Sequence, residues 1–139
     1  MASLIPKFSK KEIIDGWVAE TWKLMLLNNT HVPNAGTQQF VSDIVAKEIT
    51  DSGGIYTTGG VSLAGKASVA DSNNYYLDAT DMVIGPGATL NYRYGILFKD
   101  TGNQATSPIR AQIDFVIDQV VTNGTSTIQW NILGIIYVS

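Results

Sequence analysis

The feature that most constrains this chain is the alternation of apolar and polar side chains through residues 89–138, its last third. In a first run, Leu90, Tyr92, Tyr94, Ile96 and Phe98 fall on one face, and Asn91, Arg93, Leu97 and Lys99 on the other. In a second, Ile109, Ala111, Ile113, Phe115 and Ile117 alternate with Arg110, Gln112, Asp114 and Asp118. In a third, Ile128, Trp130, Ile132, Ile136 and Val138 alternate with Thr127, Gln129 and Asn131. Successive side chains on a strand point to opposite faces, so a period of two predicts half-buried sheet. Each run of about ten residues would span roughly 33 Å, long for a small domain. Two polar connectors, 100–107 and 119–125, separate the runs. Asn123-Gly124 in the second is a tight-turn pair, because both residues tolerate positive φ.

The rest of the chain carries shorter signals. Ser9 with Glu12 three residues on has the form of a capping box, Phe8 and Ile13 suit a hydrophobic staple, and Gly16 reads as a stop. Trp22, Leu24 and Leu26 alternate with Lys23, Met25 and Leu27 in a first strand over 21–27. Phe40, Val41, Ile44, Val45 and Glu48 fit a 3.6-residue period, predicting a short helix over 41–47. Strands are expected over 61–69 and 75–78, with a turn at 71–74 and a loop over 81–88 around Gly85-Pro86-Gly87. Gly95 and Gly134, inside strands, mark bulges or close backbone approach. Together these predict an all-β fold, an antiparallel β-sandwich or barrel-like domain with one or two short helices. The expected organisation is an N-terminal arm, 1–16, and a single sandwich-like domain, 17–139. Leu4, Ile5, Phe8, Ile13 and Ile14 give the arm too many apolar groups for a free tail. It is too short to make its own core, so these residues form a candidate interface.

Composition narrows function. The 139 residues are 45% hydrophobic, which argues against disorder, and only 15% charged, below the roughly 25% of an average domain. Such a surface suits a protein packed among neighbours. The net charge is −3 and the basic residues are scattered, so the stripe that neutralises phosphates is missing and no nucleic-acid partner is expected. With no cysteine there is neither a disulfide framework nor a thiolate metal site. No apolar run approaches a membrane span, and the first residues lack a signal-peptide core, so no membrane partner is expected and synthesis in a cytosol is.

Candidate chemistry is sparse. His31, the single histidine, would have to serve any Ser-His-Asp or histidine-metal site, but it reads as an exposed loop residue. The pairs Asp78/Asp81 and Asp114/Asp118 have the spacing from which a glycoside hydrolase or calcium site could start, with turn capping and solvation as the simpler accounts. No glycine cluster has the strand, helix and lysine of a phosphate loop. Of the adjacent Tyr75 and Tyr76, one ring should face outward. No catalytic residue, cofactor or metal ligand is assigned.

Several stretches taken in order resemble a group of small tailed-bacteriophage virion proteins found among capsid and head genes. They are Ser42-Asp43-Ile44, Lys47-Glu48-Ile49, the run Gly54-Ile55-Tyr56-Thr57-Thr58-Gly59-Gly60-Val61-Ser62-Leu63, Asp78-Ala79-Thr80-Asp81, Asp100-Thr101-Gly102, Ala105-Thr106-Ser107-Pro108-Ile109, and Ile128-Gln129-Trp130-Asn131 with Gly134-Ile135. The first twenty residues lie outside the resemblance. It implies a non-enzymatic virion protein, a capsid decoration or cement protein made in the host cytoplasm. Its implied partners are the major capsid protein and copies of itself, as a homo-oligomer. A head-fibre or tail receptor- or glycan-binding module is the alternative.

Overall fold

The computed structural model describes residues 3–51, 53–131 and 134–138. Among the described residues the fold is all-β, with antiparallel sheets, one α-helix and no closed barrel. The chain divides into two compact units. One comprises Met1–Glu20, Leu63–Met82 and Ile128–Ser139; the other comprises Thr21–Ser62 and Val83–Thr127.

The first unit holds helix α1 (Lys7–Val18) and strands β3 (Ala67–Asp71), β4 (Asn74–Asp78) and β7 (Ile136–Val138), in the order β3-β4-β7. Asp71 pairs with Asn74, and Ser72 turns the hairpin at φ 54°. Helix α1 lies against β3 and β4, with Ile14 and Leu77 fully buried. Two ammonium groups tie it down. Lys10 Nζ donates to Asn73 O at 3.1 Å and Asn74 Oδ1 at 2.8 Å. Lys66 Nζ donates to Val18 O at 3.1 Å and Glu20 O at 2.6 Å, a cation on the carbonyl end of the helix, where the dipole favours it.

The expected capping box is not used. The helix starts after Pro6, which makes no side-chain cap bond, so Ser9 and Glu12 lie inside it. Proline suits this place because the first helical N–H groups have no partner in any case. Gly16 does not stop the helix, which continues to Val18, so the expected boundary at residue 16 falls within an element.

The second unit is built on a sheet in the order β2-β1-β5-β6, with β1 (Trp22–Leu27), β2 (Val61–Ser62), β5 (Met82–Lys99) and β6 (Ile109–Ile128). The first strand is where the alternation placed it. It is an inner strand, however, and buries Leu24, Met25, Leu26 and Leu27 completely, where a half-buried strand would bury alternate residues. Met25, Leu27, Ile96 and Phe98 join Val41 and Ile44 in one core cluster. Leu97, assigned to a polar face, is also fully buried. Residues 41–47 form two 3-10 turns, Val41–Asp43 and Val45–Lys47, in place of the expected helix. Asp43 accepts from the Gln39 and Phe40 amides at the start of the first turn, which ends where Ile44 leaves helical geometry at φ −128°.

The largest departure concerns the long strands. The expected loop over 81–88 is part of β5, and the expected connector over 119–125 is part of β6. Asn123 does adopt positive φ, at 46°, but as an irregularity within a continuing strand. Turn chemistry alone does not separate a bulge from a turn, since both need the same backbone. The third expected strand, 128–138, is reduced to the end of β6 and the short β7. Trp130 is half-buried outside any strand; its indole N–H donates to Thr80 O at 3.1 Å and its backbone N–H to Asp81 Oδ1 at 3.1 Å. Ile132 lies outside the described residues. Gly134 meets the expectation of close approach: at φ 76°, an added Cβ would lie 2.3 Å from Leu77 O.

Candidate interaction surfaces

The sheet of the second unit has two ends, and the chain treats them differently. At the β1 end the backbone is finished by several groups. Strand β2 pairs with Lys23 and Leu24. Beyond it, Ile49 N donates to Leu26 O at 3.0 Å, Asn28 N donates to Lys47 O at 3.0 Å, and Glu48 bridges Leu27. The Leu26 amide donates to the Tyr56 hydroxyl at 3.0 Å, and that hydroxyl donates to Glu48 Oε2 at 2.7 Å. Burial pushes the Tyr56 phenol well above its ordinary value, so the hydroxyl stays protonated and bridges the two. Asp51 holds the approach to Tyr56, accepting from the amides of Gly53, Ile55, Tyr56 and Thr89. Those bonds, Tyr56 first, hold its carboxyl below the usual range.

At the other end, among the described residues, β6 is closed over its start. Phe40 bridges Pro108, and Ile109 N donates to Gln39 O at 2.9 Å. Side chains fasten the same loop. Gln38 Nε2 donates to Val32 O, so its Oε1 accepts from Asn34 N and from Gln112 Nε2. Gln112 Oε1 is then left to face His31 Nε2 at 2.9 Å, which makes that ring nitrogen the donor. His31 is 3% exposed and meets Tyr94 edge-on at 5.2 Å. The expectation of an exposed loop histidine is therefore corrected: the ring is a buried peg between loop and strand.

Past this clasp, no strand among the described residues pairs with the outer side of β6. Val116, Ile117 and Val120 are 71%, 67% and 66% exposed. Val116 has φ 74°, rare for a β-branched residue, and its amide donates to Asp114 Oδ1 at 2.7 Å. This kink breaks the alternation that put Ile117 on the inner face, so sequence periodicity missed the surface. A Val-Ile pair beside an aspartate, in a run with positive-φ residues at both ends, carries no turn motif that could have revealed it.

The candidate interface at the N-terminus is split by the structure. Leu4 and Phe8 are 94% and 71% exposed, Ile5 and Ile13 are also exposed, and Ile14 is buried under the helix. The acidic pairs have structural partners. Asp78 caps Ala79 N, Asp81 takes the Trp130 amide, Asp114 pairs with Arg93, and Asp118 accepts from Asn29 Nδ2. The Arg93 guanidinium, first, and the Val116 amide hold the Asp114 carboxyl low. Tyr75 and Tyr76 are both half-buried, with Lys7 Nζ 5.6 Å from the Tyr75 ring centre.

Among the described residues, no group of three His, Asp or Glu side chains is placed to hold a metal ion. No helix among them is long and apolar enough to cross a membrane. A cavity of about 210 Å³ opens over Met25, Val41 and Phe98, rimmed by the Lys23–Asp100 ion pair. A second, about 360 Å³, lies between Pro33, Ala35 and the start of β6, but Gln38 and Gln112 in its wall spend their amides on each other and on the loop. Comparison of the chain with protein-family models, curated proteins and solved structures returns no match.

Proposed function

We propose that this chain is a structural protein of a tailed-bacteriophage particle, a decoration or cement protein that stabilises the head by contact with capsid subunits and copies of itself. The observation that carries this reading is the outer face of the N-terminal segment. Leu4 and Ile5, which precede the helix, and Phe8 and Ile13, which lie on it, face solvent, while Lys10 and Ile14 hold the helix to its sheet. A large apolar side chain held in the open on an already ordered helix binds at reduced entropic cost. Burying three of these four side chains contributes on the order of 5–8 kcal/mol before the costs of association and of ordering Leu4 and Ile5. Repeated over many copies, modest interfaces favour the assembled shell by mass action. The low charged fraction, 15%, and the ordered series of motifs resembling phage head proteins support the same reading.

The test is substitution of exposed residues alone. Leu4→Ser with Phe8→Ser should leave the melting temperature close to that of the parent, because neither side chain is buried. Occupancy on purified particles should fall by about tenfold or more. Parental occupancy with parental folding would end the proposal.

A further inference from the structure

We infer that the open edge of β6, over residues 117–122, is a docking site for an extended strand of another protein, and that this strand carries basic and β-branched residues in alternation. The inference goes beyond docking through the N-terminal helix and uses a different surface.

It starts from the contrast between the two sheet ends. The β1 end is closed by a strand, a loop backbone and the Tyr56 hydroxyl. The β6 end is closed at Pro108 and Ile109, and past them no strand among the described residues pairs with it. An open strand edge presents a row of N–H and C=O groups that another extended backbone matches best. Sheet proteins usually blunt such an edge with lysine or proline. Residues 113–125 contain neither, and they also lack arginine.

Length and chemistry of the occupant follow. Val116 and Asn123 both have positive φ, so the regular stretch between them is 117–122. That limits pairing to about six residues, roughly 20 Å of strand. In a regular strand Asp118 and Val120 share one face and Ile117 lies on the other, so a lysine face meets Asp118 with its charge and Val120 with its methylene stem, and a β-branched face meets Ile117. The acidic groups along this edge are Asp114, paired with Arg93, and Asp118, which accepts a hydrogen bond from Asn29 Nδ2 and feels Arg93 only as a minor, unbonded charge. An opposite charge across from Asp118 is favourable and a like charge is not. A second copy laid antiparallel about a two-fold axis over this stretch would set Val121 opposite Asp118, and residues 113–125 supply no basic side chain to meet it. The edge therefore favours a basic strand from a different protein over self-pairing.

The probe is a blocked, fluorophore-labelled seven-residue peptide alternating valine and lysine, added to the whole protein and followed by anisotropy and by amide exchange. The expected result is saturable binding with slowed exchange confined to residues 117–122. Glutamate in place of lysine should weaken binding by about fivefold or more. N-methylation along one edge of the peptide should abolish it. Asp118→Lys should reverse the preference between the two peptides, and its melting temperature checks the fold. Any of four results overturns the inference: no binding at millimolar peptide, equal binding of the N-methylated peptide, protection outside 117–122, or concentration-dependent self-association that protects this edge.

Discussion

Single residues decide how the loops of this molecule are held, and Asp51 is the clearest case. Its carboxylate accepts four backbone N–H groups, and its folded pKa lies below the ordinary value of 3.8. A lowered folded pKa means that the charged form is the one the fold binds. The stabilisation is therefore present at and above pH 3.8 and is lost as pH falls through the folded value. Asp51→Asn should lower stability at pH 7 and flatten its decline in acid, measured by denaturant titrations at neutral pH and near pH 3. An unchanged acid decline would mean that Asp51 is not a source of it. None of this was legible in the sequence, where Asp51-Ser52-Gly53-Gly54 is a generic turn. His31 was hidden for a similar reason. A histidine flanked by turn residues gives no sign of the glutamine, 81 positions away, that accepts its hydrogen bond.

Elements were legible where one rule acted alone. The strands Trp22–Leu27 and Asn74–Asp78 fall within a residue of their expected bounds, because alternation and flanking turns agree there. The reading failed where a strand contains turn chemistry. Gly85, Gly87 and Asn123 all take positive φ inside β5 or β6, and the sequence cannot tell a kinked strand from two strands and a loop. It also failed to show which strands are covered on both faces. These differences reorder the expected cost of mutations. Leu26→Ala, in an inner strand and fully buried, should cost about 2–5 kcal/mol. Trp130→Ala, which as a core strand residue would have cost about 3–5 kcal/mol, should cost the smaller amount, about 1–2 kcal/mol, for a half-buried ring and one hydrogen bond. Denaturant melts of the two variants compare them directly, and a larger loss for Trp130 would return it to the core.

At the scale of the whole molecule, the all-β class followed from the length and number of alternating runs, and the division of the chain into two units did not. The first unit is assembled from three separated segments, so no compositional boundary along the chain marks it. The candidate interface was legible in part. Counting apolar residues in 1–16 found Leu4, Ile5, Phe8 and Ile13, but it could not show that Ile14 turns inward with Lys10 while the others face solvent. The β6 surface escaped because it depends on a backbone kink. Both surfaces serve an account in which the protein acts through repeated contact with other chains in a phage shell. The measurement that tests this most directly is the copy number of the chain in purified virions, by quantitative mass spectrometry against the major capsid protein. The account predicts a fixed ratio to capsid subunits, with copies spread over the whole shell. A handful of copies at one site, as for a head fibre or tail module, or absence from the particle, would contradict it.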